Sequence, residues 1–349
     1  MSPAEPRPGL REVEPYAAPQ LDVPVRLNTN ECPYPLPPAF AEELAQAVRG
    51  LALHRYPDRE AVELRARLAQ AVGHEPEGTW VANGSNEILQ QLLLAYGGAG
   101  RAVACFEPTY AMHARIAWTT GSEVLREELP PPWRLDAERL VRAAERAAVV
   151  FACSPNNPTG NAQDPEVLAE AARRAPGTLF VVDEAYVEFG GRSAAPLVRE
   201  LPNLAVVRTF SKAFALAGAR IGYCLAAPEV VEDLRRVRLP YHLSALTQAA
   251  GLVALRHRDE ALAILDAVRE QRDRISAALP ELGVEAFPSE ANFVLFRPPR
   301  PAAEVWRGLL DRGVLVRDFS TLVPGCLRVT AGTPEEVDRF LDALKEVLA

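Results

Sequence analysis

The sequence predicts an α/β protein with a larger domain on a mostly parallel sheet and a smaller α+β domain after it. Between residues 37 and 230, near-continuous apolar runs alternate with helix-compatible segments. That is the pattern of parallel strands covered by helices on both faces. After residue 242 the order changes to helix, short strands and a last amphipathic helix. Before all of this, residues 1–30 are spaced by prolines and show no helical period, so they read as an extended arm.

Each element has its own signal. The strand candidates are Trp80–Ala82, Ala102–Phe106, Ala148–Cys153, Leu179–Asp183, Leu204–Thr209 and Ile221–Leu225, with helices over Glu87–Tyr96 and Pro165–Arg174 among those between them. Residues 243–279 read as one long helix with Leu265, Val268, Ile275 and Leu279 on a stripe, ended by Pro280. Asn292–Phe296 and Cys326–Thr330 are short strands. The last helix opens with Thr333, Pro334 and Glu336, a capping box with proline in the first turn, and Val337, Phe340, Leu341, Leu344 and Leu348 form its buried face. The expected organisation is an arm over 1–36 that packs with the small domain, a large domain over 37–242 and a small domain over 243–349.

Composition narrows the function. The 349 residues suffice for one large core and a satellite, and the formal charge of −8 argues against a nucleic-acid partner. No apolar run reaches a membrane span, and the start of the chain lacks the apolar stretch of a secretory signal. Five scattered cysteines without a CxxC pair fit a reduced, cytoplasmic protein, with Cys105, Cys153 and Cys224 expected as buried small hydrophobes. Five histidines show no ligand spacing, so no metal site is expected.

The most informative stretch is Thr209-Phe-Ser-Lys-Ala-Phe-Ala-Leu-Ala-Gly-Ala-Arg-Ile-Gly-Tyr223. It sets Lys212 in a small-residue turn after an apolar strand. A partly desolvated amine among Ala and Gly can approach an aldehyde and is easily deprotonated, which an imine-forming lysine needs. Ser211 and Arg220 flank it with a hydroxyl and a fixed cation, which suits a phosphate. Together they outline a site for pyridoxal 5'-phosphate.

Other candidates fall at the carboxyl ends of the strands, where ligands bind in such sheets. Asp183 closes a buried strand and suits a pyridinium nitrogen; it can equally be a helix N-cap for Glu-Ala-Tyr after it. Tyr186 and Asn157, the latter in Ser154-Pro-Asn-Asn-Pro-Thr-Gly160, can donate to a phenolic oxygen. Asn83-Gly-Ser-Asn-Glu87 opens a helix with free N–H groups that suit phosphate, or is a plain N-cap by Ser85. Tyr110 can stack on a pyridine face or simply line the core. Arg328 sits inside an apolar strand and needs an anionic partner; Arg317 is a second such cation, with Asp318 beside it as a possible ion-pair partner.

In this order, phosphate turn, Tyr, Asn-Pro-Thr-Gly, Asp-x-x-Tyr, Ser-Lys, Arg and a C-terminal Arg, the set resembles the fold-type I PLP-dependent aminotransferases over essentially the whole chain. The lysine segment looks like the class-II signature. Glu14-Pro-Tyr16, Leu27-Asn-Thr-Asn-Glu31, Arg55-Tyr-Pro-Asp58, Val316-Arg-Asp-Phe-Ser320 and Leu327-Arg-Val-Thr-Ala-Gly-Thr-Pro-Glu-Glu336 resemble the histidinol-phosphate aminotransferases within it. Cys32 and Pro35 stand where that group usually has Asn and Gly.

The resemblance implies a seven-stranded sheet and a ping-pong exchange between histidinol phosphate and 2-oxoglutarate. Lys212 would bond the cofactor and move the proton. Asp183 would pair with the ring nitrogen, Asn157 and Tyr186 would hold the phenolic oxygen, and Tyr110 would stack. Ser85, Asn86, Ser211 and Arg220 would bind the cofactor phosphate. Tyr56 would reach the partner subunit's cofactor in a homodimer with shared sites, and Tyr16, Asn28, Arg317 and Arg328 would face the substrate. The neighbouring readings are an aromatic or broad-specificity amino-acid aminotransferase and a PLP-dependent threonine-phosphate decarboxylase.

Overall fold

The computed structural model describes residues 4–15 and 17–349. Its strands in chain order are β1 Val25–Arg26, β2 Thr79–Asn83, β3 Ala102–Glu107, β4 Glu123–Glu128, β5 Val149–Cys153, β6 Leu179–Asp183, β7 Leu204–Thr209, β8 Ile221–Leu225, β9 Glu285–Ala286, β10 Phe293–Arg297, β11 Val314–Leu315, β12 Arg317–Asp318 and β13 Leu327–Thr330. Seven form one sheet in the order β2-β8-β7-β6-β5-β3-β4. Only β8 runs antiparallel to its neighbours. The sheet is therefore mostly parallel, and the carboxyl ends of β2, β3, β5, β6 and β7 share one edge with the start of β8.

The apolar runs form these strands because both faces are covered. One face packs into a core with Phe151, Trp80 and Val181, the other into a core with Val182, Phe180 and Phe210. Every residue of β5, β6 and β8 is buried. The strand of this sheet that the sequence does not predict is β4, Glu-Val-Leu-Arg-Glu-Glu, which pairs only with β3; the two-residue strands β1, β9, β11 and β12 are also without a sequence signal. As an edge strand with exposed positions β4 can carry charges on both faces, so it has no apolar run.

The helix Pro165–Arg174 has the expected bounds, and Asp164 caps it through Glu166 N. The expected single helix over 243–279 is three: Ala245–Arg256, Arg258–Leu262 and Ile264–Glu281, with Pro280 inside the last. The first break falls at His257, whose ring meets Glu43 Oε2 at 2.6 Å and Glu260 Oε2 at 3.1 Å. There the chain turns away. Ala245–Arg256 packs on the helices Pro38–Arg49 and Val62–Val72, while Ile264–Glu281 packs on the last helix and on β10.

A second sheet, β12-β13-β10-β9, is antiparallel. It shares a core with Ile275, Leu279, Val305 and Phe340. The arm joins this region, since β1 pairs in parallel with β11. The last helix, Pro334–Leu348, has the full Thr333–Glu336 capping box. Its buried face is Val337, Phe340, Ala343, Leu344 and Val347, with Leu341 and Leu348 only partly buried. The apolar stripe thus lies one step round from the expected one. Cys105, Cys153 and Cys224 are buried, and all five cysteines are free.

Phe340 is fully buried in this second core. Phe340→Ala is expected to cost about 3–5 kcal/mol by removing the ring and leaving a cavity. Urea denaturation checks this; a loss under about 1 kcal/mol would mean that the ring is not packed as described.

Candidate active site

Along the common edge of the large sheet, each strand end delivers a polar residue into one space. After β2 comes the turn Asn83-Gly84-Ser85. Glu87 Oε2 takes both the backbone and side-chain N–H of Asn83, at 2.6 and 2.7 Å. Gly84 has φ 79°, and the helix Ser85–Tyr96 starts with no side chain capping its first N–H groups. Ser85 is thus the first helical residue and not the N-cap. Free N–H groups at a helix start favour an anion.

Facing this turn is the loop after β7. Ser211 Oγ accepts from Arg220 Nη1 at 3.3 Å and lies 3.0 Å from Thr209 Oγ1. Arg220 has φ 55°, in the left-handed region. Its guanidinium lies so close to Gly84 that a Cβ there would stand 2.5 Å from Nη2. A Cβ on Gly222 of β8 would meet Gly84 C and Ser85 N at 2.4 Å each. The two glycines let strand, turn and guanidinium close into one small cradle.

Lys212 lies between this cradle and the arm. Its side chain is half-buried and Nζ donates to Thr29 O at 3.0 Å. Burial first, then the positive charge of Arg328, lowers its pKa to about 8; Arg220 adds to this, and Glu31 opposes it. Nζ stands 6.0 Å from the ring centre of Tyr186. Tyr186 is buried and accepts from Asn30 Nδ2 at 3.0 Å, and burial pushes its hydroxyl up to about 12.

At the end of β6, Asp183 is 2% exposed. Oδ1 takes the N–H of Ala185 at 3.1 Å, and Oδ2 lies 3.0 Å from His113 Nε2. The carboxylate therefore both caps its own turn and holds an imidazole. His113 is fully buried and stacks on Phe151 at 4.6 Å, 5° from parallel. Among the described residues its Nδ1 has no hydrogen-bond partner. Sequence reading missed His113; the available signal was its place three residues after Tyr110 in an apolar helix. Tyr110 sets its edge to His113 at 5.5 Å and bonds Asn86 Oδ1 at 3.2 Å.

Asn157 is buried, and its Oδ1 accepts from Arg328 Nη1. Arg328, also buried, donates its other Nη to Asn28 O at 2.9 Å and lies 4.9 Å from the ring centres of Phe293 and Phe319. Arg317 stands directly opposite Arg328 across the β12–β13 pair. Arg317 Nη2 donates to Ala17 O at 2.8 Å, and Nη1 is buried with no partner among the described residues. Among the described residues Arg317 forms no ion pair, and Asp318 instead accepts from Ser320 N at 2.7 Å.

Two expected residues turn their side chains to other partners. Asn28 directs its amide to Pro19 O at 2.8 Å and offers the site its backbone carbonyl. Tyr56 is 78% exposed and stacks on Tyr241. Tyr16 lies outside the described residues. Among the described residues, no group of three or more His, Cys, Asp or Glu is placed to hold a metal, and no helix is long and apolar enough to cross a membrane.

A lysine with a lowered pKa beside an anion cradle, on the carboxyl edge of a mostly parallel sheet, defines a class of enzyme. The chain belongs to the class I and II aminotransferases, which it matches over residues 23–344. It is 50% identical to a histidinol-phosphate aminotransferase of Frankia casuarinae, covering 98% of this chain and 90% of that one. Another, from Streptomyces avermitilis, is 52% identical, with 98% and 96% covered. The crystal structure of histidinol-phosphate aminotransferase from Sinorhizobium meliloti in complex with pyridoxal 5'-phosphate superposes with a TM-score of 0.86 at 28% identity, covering 93% of this chain and 91% of that one.

The enzyme is PLP-dependent, and the residues present fit the cofactor. The glycine cradle closed by Arg220 and Ser211 takes a phosphate, and an aldehyde suits the half-buried Lys212 amine.

The lowered Lys212 pKa has a testable consequence. Below pH 8 both folded and unfolded protein hold the proton, and the folded state bears the full cost of a buried ammonium. Between about 8 and 10.5 the unfolded state binds more protons, so this group's contribution to stability rises with pH. The stability advantage of Lys212→Met over the cofactor-free parent should therefore shrink from pH 8 to 10 in urea titrations. A difference that stays constant with pH would contradict the lowered pKa.

Proposed function

We propose that this enzyme transfers the amino group of L-histidinol phosphate to 2-oxoglutarate, giving imidazole acetol phosphate and L-glutamate, a step of histidine biosynthesis. The observation that carries the substrate is the pair Arg317–Arg328. Two arginines directly opposite on antiparallel neighbours place like charges on one face, which is unfavourable without an anion between or beside them. A phosphate monoester close to dianionic at neutral pH matches two guanidinium forks better than a single carboxylate does. The names of the relatives at 50% and 52% identity support the same substrate.

In this reading Ser85, Asn86, Ser211 and Arg220 would hold the cofactor phosphate, Asp183, itself held by His113, would pair with the ring nitrogen, and Asn157 and Tyr186 would hold the phenolic oxygen. Tyr110 lies against the ring. When bound, pyridoxal phosphate supplies an aldehyde for the substrate amine and a ring that draws electrons from the amine-bearing carbon. Lys212 Nζ, with a pKa of about 8, is partly neutral at physiological pH and accepts the proton from that carbon. Arg317 and Arg328 fix the far end of the substrate, so that this carbon stays within reach of Nζ. Tyr16 and the Asn28 backbone line the arm side of the site. The first product leaves before 2-oxoglutarate enters, so the exchange is ping-pong.

The reading includes a homodimer with shared sites, in which Tyr56 reaches the partner subunit's cofactor phosphate. Its 78% exposure leaves it available for such a contact. Five free thiols fit a reducing, cytoplasmic setting.

Glutamate formation with L-histidinol phosphate, L-phenylalanine, L-tyrosine or L-histidine as donor tests the substrate. Histidinol phosphate is expected to lead in kcat/KM by orders of magnitude. Aromatic amino acids that match it would mean the arginines read a carboxylate, and CO2 release would point to a decarboxylase. Double-reciprocal plots should be parallel.

Arg317→Ala should lower kcat/KM for histidinol phosphate about ten- to a hundred-fold, the loss of one charge-assisted contact of roughly 1.5–3 kcal/mol. The half-reaction with glutamate should suffer less. Equal losses in both half-reactions would remove Arg317 from phosphate recognition.

A further inference from the structure

Tyr56 and Tyr241 form an isolated pair of exposed rings on the surface. Their centres are 4.2 Å apart and their planes 11° from parallel. Tyr56 is 78% exposed and Tyr241 40%. Among the described residues the Tyr56 hydroxyl has no hydrogen-bond partner. The two rings come from segments far apart in sequence, so the contact is made by the fold.

The segment that presents Tyr241 is held unusually well for an exposed loop. Tyr241 itself has φ 53°, a left-handed conformation that bulky residues seldom adopt and that persists only where the surroundings impose it. The surroundings do so on both sides. Arg238 donates to Arg59 O and Glu60 and lies over the Trp80 ring at 5.2 Å. His242 stacks on Trp80 at 5.4 Å, and its Nε2 lies 2.9 Å from Val81 O. His242 O accepts from Asn83 Nδ2 at 2.6 Å, and Gln248 Nε2 ties Asp58 O at 2.8 Å. The loop is thus anchored to β2, to the Asn83-Gly84-Ser85 turn and to the segment that carries Tyr56.

We infer that Tyr241 is a positioning residue for Tyr56. Its ring is a fixed platform that holds the Tyr56 ring in one orientation, so that the hydroxyl is pre-aimed at the cofactor phosphate of the partner subunit. This rests on the shared-site homodimer proposed above. A long aromatic side chain on an exposed loop otherwise spreads over several rotamers, and ordering it on binding weakens the contact it makes. A stack against a ring whose backbone is locked removes that cost beforehand. The platform stands on the chain's own phosphate turn through Asn83, so the reach towards the partner is referenced to the frame of this subunit's site.

The test is titration of the cofactor-free protein with pyridoxal phosphate, read by quenching of protein fluorescence, with subunit number measured by light scattering at the same concentration. Tyr241→Ala is expected to weaken binding about two- to ten-fold, the size of one aromatic stack. Tyr241→Phe keeps the ring and should stay within about two-fold of the parent. In a Tyr56→Ala background, Tyr241→Ala should add nothing, because its effect runs through Tyr56. An equal loss in that background would make Tyr241 a general structural residue and overturn the inference. So would full affinity of Tyr241→Ala alongside weakened binding by Tyr56→Phe; the shared-site reading would then survive. A monomeric parent, or a dimer in which neither Tyr56→Phe nor Tyr56→Ala changes affinity, would instead overturn the shared-site reading.

Discussion

The site depends on one buried charge. Asp183 ends a strand buried over its whole length, where an isolated carboxylate is costly. Its two oxygens are therefore committed, one to the Ala185 N–H and one to His113. Since His113 Nδ1 is buried with no partner among the described residues, the ring N–H is placed on Nε2, where the carboxylate accepts it. This orders the rest. Holding His113 requires the helix Met112–Thr119 to pack with Phe151 beneath the ring, and that packing places Tyr110 at the mouth of the site.

A second constraint comes from the arm. Three consecutive residues tie the two sheets together. Asn28 O accepts from Arg328, Thr29 O from Lys212, and Asn30 gives its amide to Tyr186 while its backbone meets Thr330 and Asn292. Lys212 and Tyr186 belong to the large sheet's edge, whereas Arg328 and Thr330 lie on β13. The arm has almost no core of its own, yet it fixes the distance between Lys212 and Arg328. Asn30 adopts φ 55°, a conformation asparagine tolerates better than most residues.

This division explains which parts were legible in the sequence. The inner strands announced themselves because both faces are buried, and β4 did not because its charges face solvent at an edge. The lysine turn, the Asn-Pro-Thr-Gly turn and the acid closing β6 could be read because each pairs an unusual residue with a local backbone signal. His113 carried only the weak signal of its place in an apolar helix three residues after Tyr110, because its role depends on which way that helix turns towards a strand some 70 residues on. The stack of Tyr56 on Tyr241 and the use of Thr29 and Asn28 through their carbonyls were equally illegible, since they come from tertiary placement and not from residue type. The helix break at His257 was hidden because the apolar stripe continues past it while its packing partner changes.

Substrate choice and base strength are linked in this site. Lys212 is held near 8 first by burial and then by Arg328, the arginine proposed above to face the substrate anion. A dianion bound between Arg328 and Arg317, as proposed, would offset that positive field and favour the protonated amine. The occupied site therefore has a stronger base at Nζ than the free site, one that holds more firmly the proton taken from the amine-bearing carbon. A substrate without the second negative charge would offset less of the field and leave the amine a weaker base. In that reading two opposed arginines favour a dianionic substrate by contact at the far end, and the same anion raises the proton affinity of the lysine at the reacting end while lowering its neutral fraction.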